Sequence, residues 1–121
     1  MPTILVVEDN AANMTLAVTI LAASGHAVLR AVSAEAGLLL AREKRPDLIL
    51  MDVQLPGMDG LKATALLKAD ESTKSIPVLA LTALAMKGDE ERIRAAGCDG
   101  YIAKPMRYKE VLGAIDKLLA R

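Results

Sequence analysis

A chain of 121 residues is the size of one ordinary domain, and halving it would leave two pieces too small to bury much core. Apolar residues make up 53% and charged residues 25%, which excludes disorder, and 15 Lys and Arg against 15 Asp and Glu leave no net charge to hold nucleic acid or an anionic membrane. One cysteine, Cys98, excludes an internal disulfide framework and a cysteine zinc site.

Short β-type runs alternate with helix-period segments along the whole chain. Thr3–Glu8 predicts a buried strand, and Asn10 can cap the helix that follows. Met14, Val18 and Leu21 recur at helical spacing until Gly25 stops the helix. Ala27–Ala31 is a weaker strand. Ser33 caps a second helix, with Ala36, Leu39 and Leu40 turned inward and an end before Pro46. Asp47–Asp52 carries the strongest strand pattern, Leu48-Ile49-Leu50-Met51. A turn-rich loop, Leu55 to Gly60, leads into a helix over Leu61–Lys68, with Gly57 and Gly60 read as turn glycines. Pro77–Leu81 is a fourth strand, Leu84–Ala96 a helix ended by Gly97, and Gly100–Ala103 a short fifth strand. Met106–Leu119 closes the pattern with Val111, Leu112, Ile115, Leu118 and Leu119 on one side.

Strict alternation of five strands and five helices predicts an α/β fold, a doubly wound parallel sheet with helices on both faces. No linker or repeat divides the chain, so residues 1–121 are expected to form one domain. The longest nearly apolar stretch, Ile76 to Met86, is too short to span a membrane and is interrupted by Pro77 and Thr82. With no signal-peptide pattern either, the chain is expected in the cytoplasm, with no membrane or nucleic-acid partner. Tyr101 and Tyr108 are the only aromatics, so the core is aliphatic and little is available to stack a base or a flavin.

Such sheets bind ligands beyond the carboxyl ends of their strands. Glu8, Asp9 and Asn10 follow the first strand, Asp52 ends the third, Thr82 follows the fourth, and Lys104-Pro105 follows the fifth. If the first and third strands are neighbours, Asp9 and Asp52 approach, with Glu8 nearby. Two carboxylates roughly 4 Å apart repel by about 4 kcal/mol at an effective dielectric of 20. That is a large part of the roughly 5–15 kcal/mol that holds a domain together. A hard divalent cation would offset it, and Mg²⁺ uses few carboxylates and keeps waters and phosphate oxygens. Taken singly, Glu8 reads equally well as a solvated loop residue.

Val7-Glu8-Asp9-Asn10, the stretch Leu50 to Gly60 around Asp52, Leu81-Thr82-Ala83 and Lys104-Pro105 together resemble the receiver domain of two-component response regulators. The resemblance runs from Thr3 to Leu119. The stretch Ala83 to Pro105 looks like single-domain cell-division receivers of the DivK type, although Leu84 stands where an aromatic is common. The resemblance implies a flavodoxin-like strand order, 2-1-3-4-5. It implies a signalling module that is not an enzyme beyond its own Mg²⁺-dependent phosphoryl transfer and dephosphorylation. Asp52 would accept a phosphoryl group from a histidine kinase or histidine phosphotransfer protein. Asp9, Asp52 and the backbone carbonyl of Gln54 would hold Mg²⁺, with Glu8 assisting directly or through water. Lys104 would pair with phosphoryl oxygens, and Thr82 would bond them and sense the event. Tyr101 would be Thr82's aromatic partner, and Lys104-Pro105 would be cis. The downstream protein partner would dock on the Leu84–Ala96, Tyr101 and Met106–Leu119 face. The phosphodonor would dock near Asn13, Met14, Pro56 and Met58.

The other chemistry-bearing residues read more plainly. His26 is expected at the surface and Cys98 as a small buried hydrophobe. Asp89 to Arg94 is a solvated helix face with pairing at i,i+4. Three alternatives use the same residues. A receiver cut from a hybrid histidine kinase would look alike, though a Met1 start leans away from it. A phosphatase of the haloacid dehalogenase type needs a second Asp two residues after its nucleophile, where this chain has Gln54. A flavodoxin-type electron carrier needs a phosphate-cradling loop after the first strand, which is absent. The chain closes soon after its fifth helix, so output is expected through protein–protein contact.

Overall fold

Apolar-rich runs of four or five residues become strands, and helix-period segments between them become the crossovers. A computed structural model describes residues 1–83 and 87–120. In chain order the elements are β1 (Thr3–Val7), α1 (Ala11–Ala23), β2 (Ala27–Ala31), α2 (Ala34–Lys44), β3 (Leu48–Asp52), α3 (Gly60–Ala69), β4 (Val78–Thr82), α4 (Lys87–Ala95), β5 (Gly100–Ala103) and α5 (Tyr108–Leu119). The strands pair in parallel in the order β2-β1-β3-β4-β5.

β3 and β4 are buried at every residue, as strands covered on both faces must be. Ile4, Val6, Leu48, Leu50, Leu79 and Leu81 pack under α1 and α5. Leu5, Val7, Ile49, Met51, Val78 and Ala80 face α2, α3 and Ile93 of α4. The period-2 alternation of strand side chains divides them this way.

Asn10 and Ser33 cap their helices as expected, and Asp59 caps α3. The side-chain oxygens of Asn10, Ser33 and Asp59 accept from the amides of Asn13, Ala36 and Lys62 at 2.9, 3.2 and 2.8 Å. Gly25 and Gly97, with φ of 86° and 105°, take the left-handed conformation just beyond α1 and α4.

Four readings change. Leu39 is exposed, not inward: Ala34, Gly37, Leu38 and Ala41 form the buried stripe of α2. In a three-leucine run the apolar pattern does not say which leucine faces the sheet. The last helix begins at Tyr108 instead of Met106, and Met106 is buried ahead of it. His26 is half-buried, and its Nδ1 is buried without a hydrogen-bond partner. Gly60 opens α3 and is no turn glycine. The expected helix start at Leu84 lies outside the described residues.

One polar anchor was not legible beforehand. Lys68 Nζ donates to the carbonyls of Ile76 and Lys74 at 2.8 and 3.3 Å and to Asp99 Oδ2 at 2.9 Å. The same Asp99 oxygen accepts the Val78 amide at 2.8 Å. This cluster ties the end of α3 to the entries of β4 and β5. Lys68→Ala would cost Asp99 its contact with the Lys68 ammonium and the Ile76 carbonyl its lysine donor. Because the two side chains keep 22% and 21% exposure, the expected loss is about 2 kcal/mol, below that of a fully buried pair. Urea unfolding at unchanged m-value measures it; a loss under about 0.5 kcal/mol would show the cluster to be energetically neutral.

Candidate functional site

The β1–β3 register pairs Val7 with Met51, so the residues after them, Glu8 and Asp52, come side by side. Glu8 and Asp52 are 1% and 2% exposed, whereas Asp9 is exposed. Oxygens of Glu8, Asp9 and Asp52 all lie within 4.8 Å of one another. Lys104 enters from the end of β5, with Nζ 3.1 Å from Asp52 Oδ2 and 3.2 Å from Glu8 Oε1. The second Asp52 oxygen, Oδ1, accepts the Gln54 amide at 3.0 Å. Thr82, 1% exposed, ends the adjacent β4. The Lys104-Pro105 bond is cis, as expected.

The expected residues therefore converge, with one change of emphasis. Glu8, equally readable as a solvated loop residue, is the most deeply buried of the three acids. The apolar run Ile4–Val7 masked this, because nothing in it says that the strand's next residue stays beneath the surface.

Among the described residues, Lys104 lies against two of these three carboxylates, Asp52 and Glu8. Glu8 carries the strain: its pKa is pushed up to about 7, first by burial, then by its contact with the Asp52 carboxyl and by that group's charge. The Asn10 amide, 3.3 Å from Glu8 Oε2, and Lys104 oppose the shift. Among the described residues, Glu8 Oε1 makes no hydrogen bond although Lys104 is near. The Lys104 ammonium, which burial would push down, is held above the usual lysine range by Asp52 and Glu8. Hard oxygen donors, excess negative charge and an orphaned buried oxygen suit a small divalent cation.

The burial of Glu8 sets a pH dependence. Its carboxyl, near 4.5 when unperturbed, is raised to about 7 in the fold. Between those values the folded chain holds a proton that the unfolded chain has released. Stability is therefore full below about 4.5 and is lost as pH rises through about 7, by on the order of 2–3 kcal/mol without divalent metal. Glu8→Gln should flatten this slope and make the metal-free chain more stable at pH 8. Denaturant melts at pH 5 and pH 8 test it; a variant less stable than wild type at pH 8 would mean that Lys104 already offsets the buried charge.

The sequence profile of the response regulator receiver domain matches residues 4–116. The chain belongs to that family. This receiver is 50% identical over 116 residues to the polar-differentiation response regulator DivK of Brucella ovis, spanning 96% of this chain and 94% of that protein. It is equally similar to DivK of Brucella melitensis. Among solved structures it resembles the receiver domain of a sensor histidine kinase of Pseudomonas aeruginosa, described with a magnesium ion coordinated in its active-site cleft. The TM-score is 0.93 at 35% identity, over 99% of this chain and 98% of that one. It also resembles the receiver domain of a signal transduction histidine kinase of Syntrophus aciditrophicus, with TM-score 0.91 at 30% identity, over 99% and 91% of the two chains. The receiver is thus a phosphorylation-dependent module of two-component signalling with an acidic pocket. No described helix is long and apolar enough to cross a membrane.

Proposed function

We propose that residues 1–121 act as one receiver unit that takes a phosphoryl group onto Asp52 and thereby changes its protein contacts. The observation that carries this reading is the pairing of Asp52 with Lys104 at 3.1 Å inside a three-carboxylate cluster. An Asp52 oxygen attacks the phosphorus of a phosphohistidine on a histidine kinase or phosphotransfer protein. The N–P bond breaks, the imidazole leaves with the electron pair, and Asp52 becomes an acyl phosphate. Charge spreads over the equatorial oxygens in the transition state, so positioning and cations supply most of the catalysis. Lys104 is one such cation. Asp9, Asp52, the Gln54 carbonyl and Glu8, directly or through water, would hold Mg²⁺, which supplies charge neutralisation at the phosphoryl oxygens. The chain is its own substrate, and dephosphorylation by water uses the same groups.

Thr82 stands on the strand beside Asp52 and would bond a phosphoryl oxygen. Tyr101 pairs with Ala80 and Thr82 with Ala103, which sets Tyr101 and Thr82 diagonally across the β4–β5 ladder. Diagonal neighbours lie within reach of an aromatic side chain. The response would reach α4, Tyr101 and α5, the face on which we place the downstream partner, in the cytoplasm. The expected helix segment before Lys87 lies outside the described residues.

Intact mass after incubation with acetyl phosphate tests the reading. One phosphoryl should add in the presence of Mg²⁺ and none in EDTA; labelling that ignores EDTA would remove the metal from the mechanism.

Separate docking surfaces give a further expectation. Arg92 points outward from α4, with a side chain 67% exposed, whereas Arg94 lies over the Tyr101 ring. Reversing the Arg92 charge should weaken the output partner more than phosphoryl transfer. On the phosphodonor side, Met14 is on the buried face of α1 and is unsuited as a contact. Half-buried Asn13 and exposed Leu16 take its place. Their substitution should slow transfer from the donor and spare the output; equal loss from both sets would merge the two surfaces.

A further inference from the structure

Tyr101 is gripped by two residues of α4. Glu90 and Arg94 are four apart on that helix, so they share a face. The Glu90 carboxylate beside the Tyr101 hydroxyl, by polar contact and by its charge, together with partial burial holds the phenol above its ordinary pKa. The Arg94 guanidinium lies over the ring, its central carbon 5.9 Å from the centroid, and its Nε is 3.6 Å from Glu90 Oε1. Arg94 thus bridges the Glu90 carboxylate and the Tyr101 ring. Ile93, 2% exposed and next to Arg94, roots this part of α4 in the core.

The grip gives Tyr101 one of two places. The ring is half-buried, on the same side of the sheet as Ala80 and beside α4. The other place lies over the small side chains of Ala80 and Ala103, along the diagonal toward Thr82. A ring that moves there must leave the Glu90 carboxylate and the Arg94 guanidinium.

We propose that Glu90 and Arg94 are positioning residues for Tyr101, holding it away from Thr82 and so setting how far the chain resists its phosphorylated form. This rests on the reading of Thr82 and Tyr101 as a coupled pair. The grip is a differential interaction, made in one state and lost in the other. Such a term moves a two-state equilibrium. Coupling is reciprocal: if a phosphoryl group at Asp52 releases the grip, then releasing the grip must favour the phosphoryl group.

The test uses the full chain carrying Tyr108→Phe, which leaves Tyr101 as the sole tyrosine; Tyr108 is 58% exposed and outside the site. Phenol ionisation followed by ultraviolet absorbance reads the grip. Affinity for beryllium fluoride with Mg²⁺, a non-covalent phosphoryl analogue, reads the switch. Glu90→Ala should lower the Tyr101 pKa and tighten the analogue by roughly fivefold or more. Glu90→Gln, which keeps an acceptor oxygen, should recover part of the wild-type affinity. Arg94→Met should tighten the analogue in the same direction. In a Tyr101→Phe background Glu90→Ala should change the affinity by less than about twofold, because the hydroxyl it acts through is gone. A phenol pKa that does not move, an analogue affinity that does not move, or a Glu90→Ala effect that persists without the hydroxyl would each overturn the inference. If phosphoryl labelling by acetyl phosphate is normal in those cases, only the inference falls. If the wild-type chain neither labels nor binds the analogue, the phosphoacceptor reading falls with it.

Discussion

The Asp52→Asn chain is expected to fold at least as well as wild type and to accept no phosphoryl group. The two effects have opposite signs and one origin. Asp52 is 2% exposed and shares Lys104 with Glu8, so metal-free it is one carboxylate too many. The amide keeps an oxygen for the Gln54 amide and gains an N–H₂ that can face Glu8, while Lys104 stays paired with Glu8. Removing the surplus charge should raise Tm by roughly 2–5 °C at pH 8 without Mg²⁺, the shift of about 1 kcal/mol in a domain of this size. The same change removes the nucleophile, since an amide oxygen forms no stable acyl phosphate, and mass labelling should fall below detection. Addition of Mg²⁺ should reverse the order of stability: wild type gains from a cation at its acid cluster, and the variant, one ligand charge poorer, gains less. A labelled Asp52→Asn chain would send the phosphoacceptor elsewhere, and a less stable one would show that the Asp52–Lys104 pair outweighs the crowding.

Most of the strand framework is legible in the amino-acid order because a fully buried parallel strand is an uninterrupted apolar run. Leu48 to Met51 can be little else, and chemistry-bearing residues that end such runs stand at one rim of the sheet. The site converges for that reason. What stays hidden depends on distances between segments. Lys68 reads as an ordinary helix-end cation until Asp99, 31 residues on, is seen 2.9 Å away. Glu8 reads as readily solvated as buried until β3 and Lys104 are placed beside it. The α4 face reads as i,i+4 pairing, and Arg94 does pair with Glu90 at that spacing, while Arg92 pairs with Asp89 at i,i+3. Nothing in that pattern says that Glu90 and Arg94 also enclose a tyrosine from the next strand.

Gly60→Ala is expected to be the most disruptive single-methyl change in the chain. Gly60 has no left-handed backbone to explain it; its reason is proximity. It starts α3 directly beneath the end of β3, with its amide 3.0 Å from the Val53 carbonyl. A Cβ there would collide with the Asp52 carbonyl oxygen and stand 2.9 Å from the Asp52 carbonyl carbon and 3.0 Å from Val53 Cα. All three obstacles are backbone, so no side chain can rotate away. Either α3 lifts from the sheet or the strand end shifts, and we expect a cost of at least about 3 kcal/mol, or roughly 10 °C in Tm. The displaced segment includes Asp52 and leads to Gln54, whose amide holds Asp52 Oδ1. Phosphoryl labelling should therefore slow even at temperatures where the variant is folded. Gly113→Ala supplies the contrast. Gly113 is exposed in α5 and a Cβ meets nothing within 4 Å. There the same methyl should stabilise by about 0.5–1 kcal/mol through helix propensity and leave labelling unchanged. If the two alanines behave alike in denaturant melts and in labelling rate, the contact between the start of α3 and the end of β3 does not hold the phosphoacceptor in place.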